Sequence, residues 1–139
     1  MTDDAAALRG NWNYQTQVRF GVGRIAELAE ACKAAGMKRP LLITDPGLAK
    51  LPMVRDAIAA NQAAGLPTGL FAEVKSNPVG RNVEDGLAAC RAGGHDGIVA
   101  FGGGSALDAA KTVALMVGQK RPMWNFEDEF VFVLDGTPY

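Results

Sequence analysis

The pattern of apolar and polar positions along the chain predicts alternating strands and helices. Three short segments are apolar without alternation, which is typical of strands that are covered on both faces. They lie near residues 41–45, 69–74 and 97–101. Equivalent positions in consecutive segments are 28 or 29 residues apart, and each interval holds one helical pattern. This spacing is typical of βαβ units. The sequence therefore predicts an α/β fold with a Rossmann-like parallel sheet and helices on both faces.

The helices are predicted from apolar positions that repeat every three or four residues. They comprise a helix that opens after Gly21-Val22-Gly23, contains Ile25 to Cys32 and ends at Gly36, and helices over 53–64, 79–92 and 105–117. Residues 15–20 alternate between polar and apolar, which predicts a strand at an edge or in a small appended sheet. We expect residues 1–139 to form a single domain.

Composition narrows the class of protein. The 14 basic and 15 acidic residues give a net charge of -1, which provides no basic field for nucleic acid. No apolar run is long enough to span a membrane, and the acidic N-terminus Met-Thr-Asp-Asp is unlike a secretory signal. The two cysteines, Cys32 and Cys90, fall in helical patterns, so we expect buried, reduced thiols. A cytoplasmic protein without nucleic-acid or membrane partners is the expectation.

Metal chemistry is restricted by the scarcity of ligands. His95 is the only histidine, and there are two cysteines. A site built from several histidines, or from cysteines alone, cannot form within this chain. Because His95 stands between Gly94 and Asp96 with no second ligand or nucleophile nearby in sequence, we expect a surface loop residue.

The strongest candidate for chemistry is the turn Gly102-Gly103-Gly104-Ser105, which joins the third apolar strand to a helix. Glycines let a ligand approach the backbone closely, and the N–H groups of a helix start favour an anion such as phosphate. The same residues are compatible with a tight turn in which Ser105 is the N-cap and Asp108 completes a capping box. Asp108 is also a candidate partner for Lys111 at i+3.

A competing phosphate site is present earlier in the chain. Gly21-x-Gly23-x-x-Ala26 matches the dinucleotide fingerprint, and Asp45 follows Gly23 by 22 residues, about where a ribose-binding acid is found. The alternative is that both glycines serve only as turn residues.

Asp45 and Asn77 follow the first and second apolar strands, where polar side chains converge on one rim of a parallel sheet. A carboxylate at position 45 accepts hydrogen bonds from ribose hydroxyls and repels a 2′-phosphate, which favours NAD over NADP. The alternative for Asp45 is a solvated Asp-Pro turn. Asn77-Pro78 is either a rigid loop that presents an amide to the rim or an ordinary turn.

Several segments together resemble a known family. They are Val18 to Gly23, Leu42 to Leu48, Ser76 to Val79 and above all Asp96 to Lys111, DGIVAFGGGSALDAAK. These segments resemble the N-terminal nucleotide-binding domain of the iron-containing (group III) alcohol dehydrogenases, over residues 12–118, with 119–139 a divergent tail. The resemblance implies that NAD binds at Gly102, Gly103, Gly104 and Ser105, with Asp45 near the adenosine ribose and Asn77 along the cleft. It favours this turn over Gly21-x-Gly23.

The resemblance also implies an activity, which is hydride transfer between NAD(H) and a small alcohol or aldehyde in a homo-oligomeric enzyme. NADP is the less favoured cofactor. Members of this family hold Fe²⁺ or Zn²⁺ in a second, helical domain, and the ligands of that domain are absent from this sequence. We therefore expect the cofactor-binding half of such an enzyme. The alternatives are a non-catalytic nucleotide-binding module and a relative of glycerol dehydrogenase or dehydroquinate synthase.

Overall fold

The computed structural model describes residues 9–13, 16–76 and 80–126. The strands are β1 (Arg9–Asn13), β2 (Gln17–Gly21), β3 (Pro40–Ile43), β4 (Gly69–Phe71) and β5 (Gly97–Ala100). The helices are α1 (Leu28–Ala34), α2 (Pro46–Ala49), α3 (Pro52–Ala63), α4 (Gly80–Ala92) and α5 (Gly104–Val117). Two 3-10 turns, Arg24–Glu27 and Met123–Phe126, complete the described elements.

A parallel three-stranded sheet forms the centre of the molecule. Its strand order is β4-β3-β5, so β3 pairs with both neighbours. Leu42 lies opposite Leu70 on one side and Val99 on the other. The predicted α/β class and the parallel pairing of the three apolar segments are confirmed.

Both faces of this sheet are covered. Leu41 and Ile43 belong to one buried cluster with residues of α4 and α5. Leu42 is fully buried and, because side chains alternate along a strand, points to the opposite face. The helices α1 and α3 pack against each other, and their buried residues cover this second face. The prediction of helices on both faces is therefore confirmed.

Close packing of α4 on α5 depends on a small residue. A Cβ atom on Gly86 of α4 would lie 2.9 Å from Cγ2 of Val113 on α5. Glycine at this position lets the two helices approach closely beneath the sheet. This contact holds α5, and thus the turn that precedes it, against the core.

The N-terminal strands form a separate antiparallel hairpin of β1 and β2. This confirms the predicted small appended sheet. Arg24 ties the hairpin to the following turn, because its guanidinium donates to Asn11 Oδ1 at 2.6 Å and forms an ion pair of 3.0 Å with Glu27. That guanidinium also holds the pKa of the Glu27 carboxyl below its usual range. The predicted first helix starts with the 3-10 turn, and its α-helical part begins only at Leu28.

The opposite end of the sheet is held by Asp96 and His95. The Asp96 carboxylate accepts hydrogen bonds from the N–H groups of Arg39 at 2.7 Å and Lys38 at 2.9 Å. These contacts join the start of β3 to the start of β5. His95 is half-buried, and its Nδ1 lies 3.0 Å from the Arg39 carbonyl oxygen. His95 lies in a loop, as expected, and its imidazole also fills the space beside Gly69 and Gly93.

Cys32 and Cys90 are buried free thiols, as predicted. Burial raises the pKa of each thiol above its ordinary value. Neither is therefore suited to nucleophilic chemistry at neutral pH. Among the helices of the described part of the chain, none has both the length and the apolar character to cross a membrane.

Candidate functional site

The topology of the sheet creates a crevice between the carboxyl ends of β3 and β5. From β3 the chain runs through α3 to β4 on one side, and then passes through α4 to β5 on the other side. At such a reversal of strand order, the connections that leave the two adjacent strands diverge. Ligands of open α/β sheets bind in the crevice that this leaves.

An open cavity of about 510 Å³ lies at this position. Residues from three strand exits and the start of α5 line it: Asp45, Pro46, Val74, Lys75, Ser76, Gly103, Gly104, Ser105 and Ala106. The structure therefore brings together Asp45 and three of the four residues of the predicted glycine turn.

The remaining residue of that turn, Gly102, has a backbone conformation that requires glycine. Its φ of +144° is one that other residues rarely adopt, and a Cβ there would lie 3.0 Å from Leu48 Cδ1 and 3.1 Å from Ala106 Cβ. Gly102 is not among the residues that line the cavity. Its observed contribution is to let the chain turn sharply from β5 into α5.

Gly103 and Gly104 differ from Gly102 because protein packing does not explain them. A Cβ on either residue would meet no heavy atom within 4 Å. Both residues line the cavity, and α5 begins at Gly104 with Gly103 as its N-cap. The first N–H groups of a helix have no acceptor within it, and the helix dipole favours an anion at this end. This end of α5 is therefore a backbone cradle that a phosphate fits.

The predicted role of Ser105 as N-cap is wrong. The helix starts one residue earlier, and no side chain caps it. The Ser105 hydroxyl instead donates a hydrogen bond of 2.7 Å to the carbonyl oxygen of Ser76. Because the hydroxyl donates to Ser76 and no side chain caps the helix, the capping box with Asp108 does not form. Asp108 and Lys111, both described, form no ion pair within 4 Å of each other.

Asp45 has a structural task, and its second carboxylate oxygen accepts no hydrogen bond from the described residues. Its Oδ1 accepts a hydrogen bond of 2.9 Å from the Leu48 N–H and so caps α2. Its Oδ2 lies 3.7 Å from the position that a Cβ on Gly102 would occupy, and so stands beside the glycine turn. The turn and the binding interpretations of Asp45 are therefore compatible, because they use different oxygens.

Some predicted features lie outside the described residues. Asn77 belongs to residues 77–79, and the divergent tail 119–139 is described only as far as residue 126. The role of Asn77 therefore stays a prediction.

The competing fingerprint lacks the structural setting that it needs. Gly21 ends β2, a strand of the antiparallel hairpin, and Gly23 precedes a 3-10 turn. A dinucleotide fingerprint needs a parallel strand followed by the N-terminus of an α-helix. A Cβ on Gly21 would also meet the side chains of Arg24 and Arg9, which fill this turn. We therefore interpret both glycines as turn residues.

Sequence reasoning missed Lys75 as a residue of the cavity. Lys75 and Ser76 follow β4 in a segment without regular secondary structure, and both residues line the cavity. The convergence of strand exits predicted that Ser76-Asn77-Pro78 faces the same rim as the glycine turn, but no motif or periodic signal singled out Lys75. The side-chain hydrogen bond from Ser105 defines that position.

The described residues do not fit a catalytic metal ion. Among them, no three histidine, cysteine, aspartate or glutamate side chains come together. Within the cavity, Asp45 is the only such side chain that the structure describes. The cavity fits a phosphorylated ligand, because glycines, helix N–H groups and a lysine face it.

Comparison with known proteins gives a family match over most of the chain. The family described as iron-containing alcohol dehydrogenase matches residues 15–137. The curated relatives include 4-hydroxybutyrate dehydrogenase of Cupriavidus necator, which is 39% identical over 74% of this chain and 26% of its own length. They also include 1,3-propanediol dehydrogenase of Klebsiella pneumoniae, which is 33% identical over 77% of this chain and 28% of its own length. The chain thus spans about a quarter of the length of these relatives.

Solved structures with the same fold include 1,3-propanediol oxidoreductase, which aligns with a TM-score of 0.70 and 37% identity over 73% of this chain and 26% of that protein. Sulfoacetaldehyde reductase from Bifidobacterium kashiwanohense in complex with NAD⁺ aligns with a TM-score of 0.71 and 25% identity. That alignment covers 83% of this chain and 31% of the reductase.

Proposed function

Because the chain belongs to the iron-containing alcohol dehydrogenase family, we propose that it forms the NAD-binding part of an oxidoreductase. This oxidoreductase transfers hydride between NAD(H) and a small alcohol or aldehyde. The observation that carries the proposal is the cavity at the carboxyl ends of β3 and β5, where Asp45 and the start of α5 converge. A solved relative with the same fold was crystallised in complex with NAD⁺.

In this proposal the N–H groups at the start of α5 bind the pyrophosphate of the cofactor. Gly103 and Gly104 let the phosphate oxygens approach the backbone, because no side chain intervenes. Gly102 makes the turn, and Ser105 holds Ser76 in place across the cavity. When bound, NAD supplies the hydride acceptor, and the protein supplies its position.

Asp45 is proposed to accept hydrogen bonds from the adenosine ribose through Oδ2, because Oδ1 is bonded to the Leu48 N–H. A carboxylate there repels a 2′-phosphate, so NADP is disfavoured. Asn77 is proposed to lie along the same cleft.

The described residues do not fit a metal ion, so we assign no metal chemistry to them. We propose that the Fe²⁺ or Zn²⁺ of the family resemblance is held by residues outside this sequence. The 139-residue chain is then expected to bind NADH and to catalyse no metal-dependent oxidation on its own. Turnover of alcohol by the pure chain with added Fe²⁺ or Zn²⁺ would contradict this division of roles.

Gly104 provides the direct test of the phosphate cradle. Space for a Cβ is open at Gly104, so substitution leaves the protein's own packing intact. A larger side chain would nevertheless fill the approach to the backbone. We expect Gly104→Ala to weaken NADH binding and Gly104→Val to abolish it in a fluorescence titration.

Circular dichroism melts of both variants serve as the control for folding. We expect Tm to stay close to that of the unaltered chain, since Gly104 lies at the helix start. NADH binding that is indifferent to Gly104→Val would show that the start of α5 does not bind the pyrophosphate.

Asp45 is tested by cofactor preference. Asp45→Asn removes the charge and keeps a good N-cap for α2, whereas Asp45→Ala removes both. We expect both variants to narrow the difference between the Kd values for NADH and NADPH, because repulsion of the 2′-phosphate is lost. Equal affinity of the unaltered chain for the two cofactors would show that the role assigned to Asp45 is wrong.

A further inference from the structure

The charges that line the cavity are few. Of the described residues around it, only Asp45 and Lys75 are charged. Lys75 is exposed, and it forms no ion pair with any residue that the structure describes. Its ammonium group is therefore available to a ligand.

The backbone on both sides of Lys75 is fixed. Val74 is fully buried in the core cluster. The carbonyl oxygen of Ser76 accepts the 2.7 Å hydrogen bond from Ser105. Lys75 is thus held between a buried residue and a direct link to the second residue of α5. A lysine in this position stays beside the glycine turn.

With a 5′-diphosphate bound, the negative charges in the cavity would exceed the positive charge of the α5 N-terminus. A 5′-diphosphate carries about two negative charges, and Asp45 adds a third to the same cavity. The α5 N-terminus offsets these with the equivalent of roughly half a positive charge. Lys75 is the described lining residue that supplies a full positive charge.

We propose that Lys75, in the segment after β4 that adjoins the start of α5, binds the 5′-diphosphate of the dinucleotide. This assignment rests on the proposed function, because it places the diphosphate in the cradle formed by Gly103 and Gly104. The diphosphate then receives hydrogen bonds both from backbone N–H groups and from an ammonium group. Lys75 compensates for the charge of Asp45, so the cavity keeps its selection against a 2′-phosphate without losing affinity for the 5′-diphosphate.

The test compares ligands with and without phosphate on the unaltered chain, Lys75→Met and Lys75→Arg. ADP, adenosine and adenosine 2′-monophosphate are titrated in competition with NADH fluorescence at low salt. We expect Lys75→Met to raise the Kd for ADP about three- to tenfold and the Kd for adenosine less than about twofold. Lys75→Arg keeps the charge, and its Kd for ADP should stay within about twofold of the original.

Lys120→Met is the matched control. It removes the same charge beyond the C-terminal end of α5, whose 14 residues place it roughly 20 Å from the glycine turn. The Kd for ADP should be unchanged in this variant. Raising the salt concentration should weaken ADP binding to the unaltered chain more than to Lys75→Met, because salt screens the ammonium charge.

The outcomes separate this proposal from the proposed function. If the unaltered chain binds neither NADH nor ADP, both proposals fail. If it binds ADP and Lys75→Met binds ADP equally well, the assignment of Lys75 is wrong and the cavity keeps its proposed function. If Lys75→Met weakens adenosine 2′-monophosphate more than ADP, Lys75 faces a 2′-phosphate, and the 5′-diphosphate assignment is overturned.

Discussion

Asp45 and Ser105 each combine a task in the fold with a place at the cavity. Asp45 caps α2 with one oxygen and leaves the other beside the glycine turn. The Ser105 hydroxyl donates a hydrogen bond to the Ser76 carbonyl oxygen. The backbone N–H of Ser105, at the start of α5, remains available to an anion. A residue type alone therefore does not reveal which of its atoms serves the ligand, and the sequence pattern suggested the wrong hydrogen bond for Ser105.

Thr44, next to Asp45, gives a prediction about stability. It is fully buried directly after β3, yet its hydroxyl has no hydrogen-bond partner in the part of the chain that the structure describes. A buried hydroxyl without a partner is costly, whereas valine has nearly the same shape and no polar atom. We expect Thr44→Val to raise the free energy of unfolding by about 1 kcal/mol, measured by urea unfolding.

Thr68 is the matched control for that substitution. It is also buried, but its hydroxyl donates a 2.9 Å hydrogen bond to the Leu66 carbonyl oxygen. Thr68→Val should therefore lower the free energy of unfolding by about 1 kcal/mol. Equal losses in the two variants would show that the Thr44 hydroxyl is satisfied after all.

At the scale of elements, the sequence predicted what depends on local pattern. The three core strands and the helices α3, α4 and α5 were predicted, with boundaries that differ by at most three residues. The start of α5 at Gly104 was missed because it depends on the extended backbone of Gly103 and on a partner for Ser105 that lies 29 residues earlier in sequence. The half-buried position of His95 was missed for a similar reason, since Gly69 and Gly93 come together only in the folded sheet.

The contact between Asp96 and the start of β3 predicts a dependence of stability on pH. The N–H group of Arg39, followed by that of Lys38, holds the pKa of the Asp96 carboxyl below its ordinary value. A carboxyl with a lowered pKa in the folded state stabilises the fold above its unfolded pKa of about 4. This stabilisation is lost as pH falls from there through the folded pKa.

We expect the Asp96→Asn variant to be less stable than the unaltered chain at pH 7, because a neutral amide offers one acceptor oxygen in place of two. The gap between the two proteins in free energy of unfolding should shrink as pH falls below about 4. Urea unfolding of both proteins at pH 7, 5 and 3.5 measures this difference in free energy of unfolding. A gap that stays constant over this range would mean that the Asp96 charge does not stabilise the junction of β3 and β5.

At the scale of the whole molecule, the hairpin presents an apolar surface to solvent. Val18 and Phe20 share one face of β2 and are 43% and 53% exposed. Val22 and Ile25, just beyond the strand, are 61% and 54% exposed. Several large apolar side chains exposed in one short segment favour an interaction site. A second copy of the chain is the occupant that the expected homo-oligomer supplies.

We therefore expect the protein to self-associate through the hairpin, with a mass that rises with concentration in sedimentation equilibrium. Phe20→Ser should shift the equilibrium toward the monomer, because it removes apolar area from that surface. Met53→Ser, at an exposed position of similar apolar character on α3, should leave the mass unchanged. A monomer mass that is independent of concentration, or an equal response to both substitutions, would show that the hairpin is not the contact.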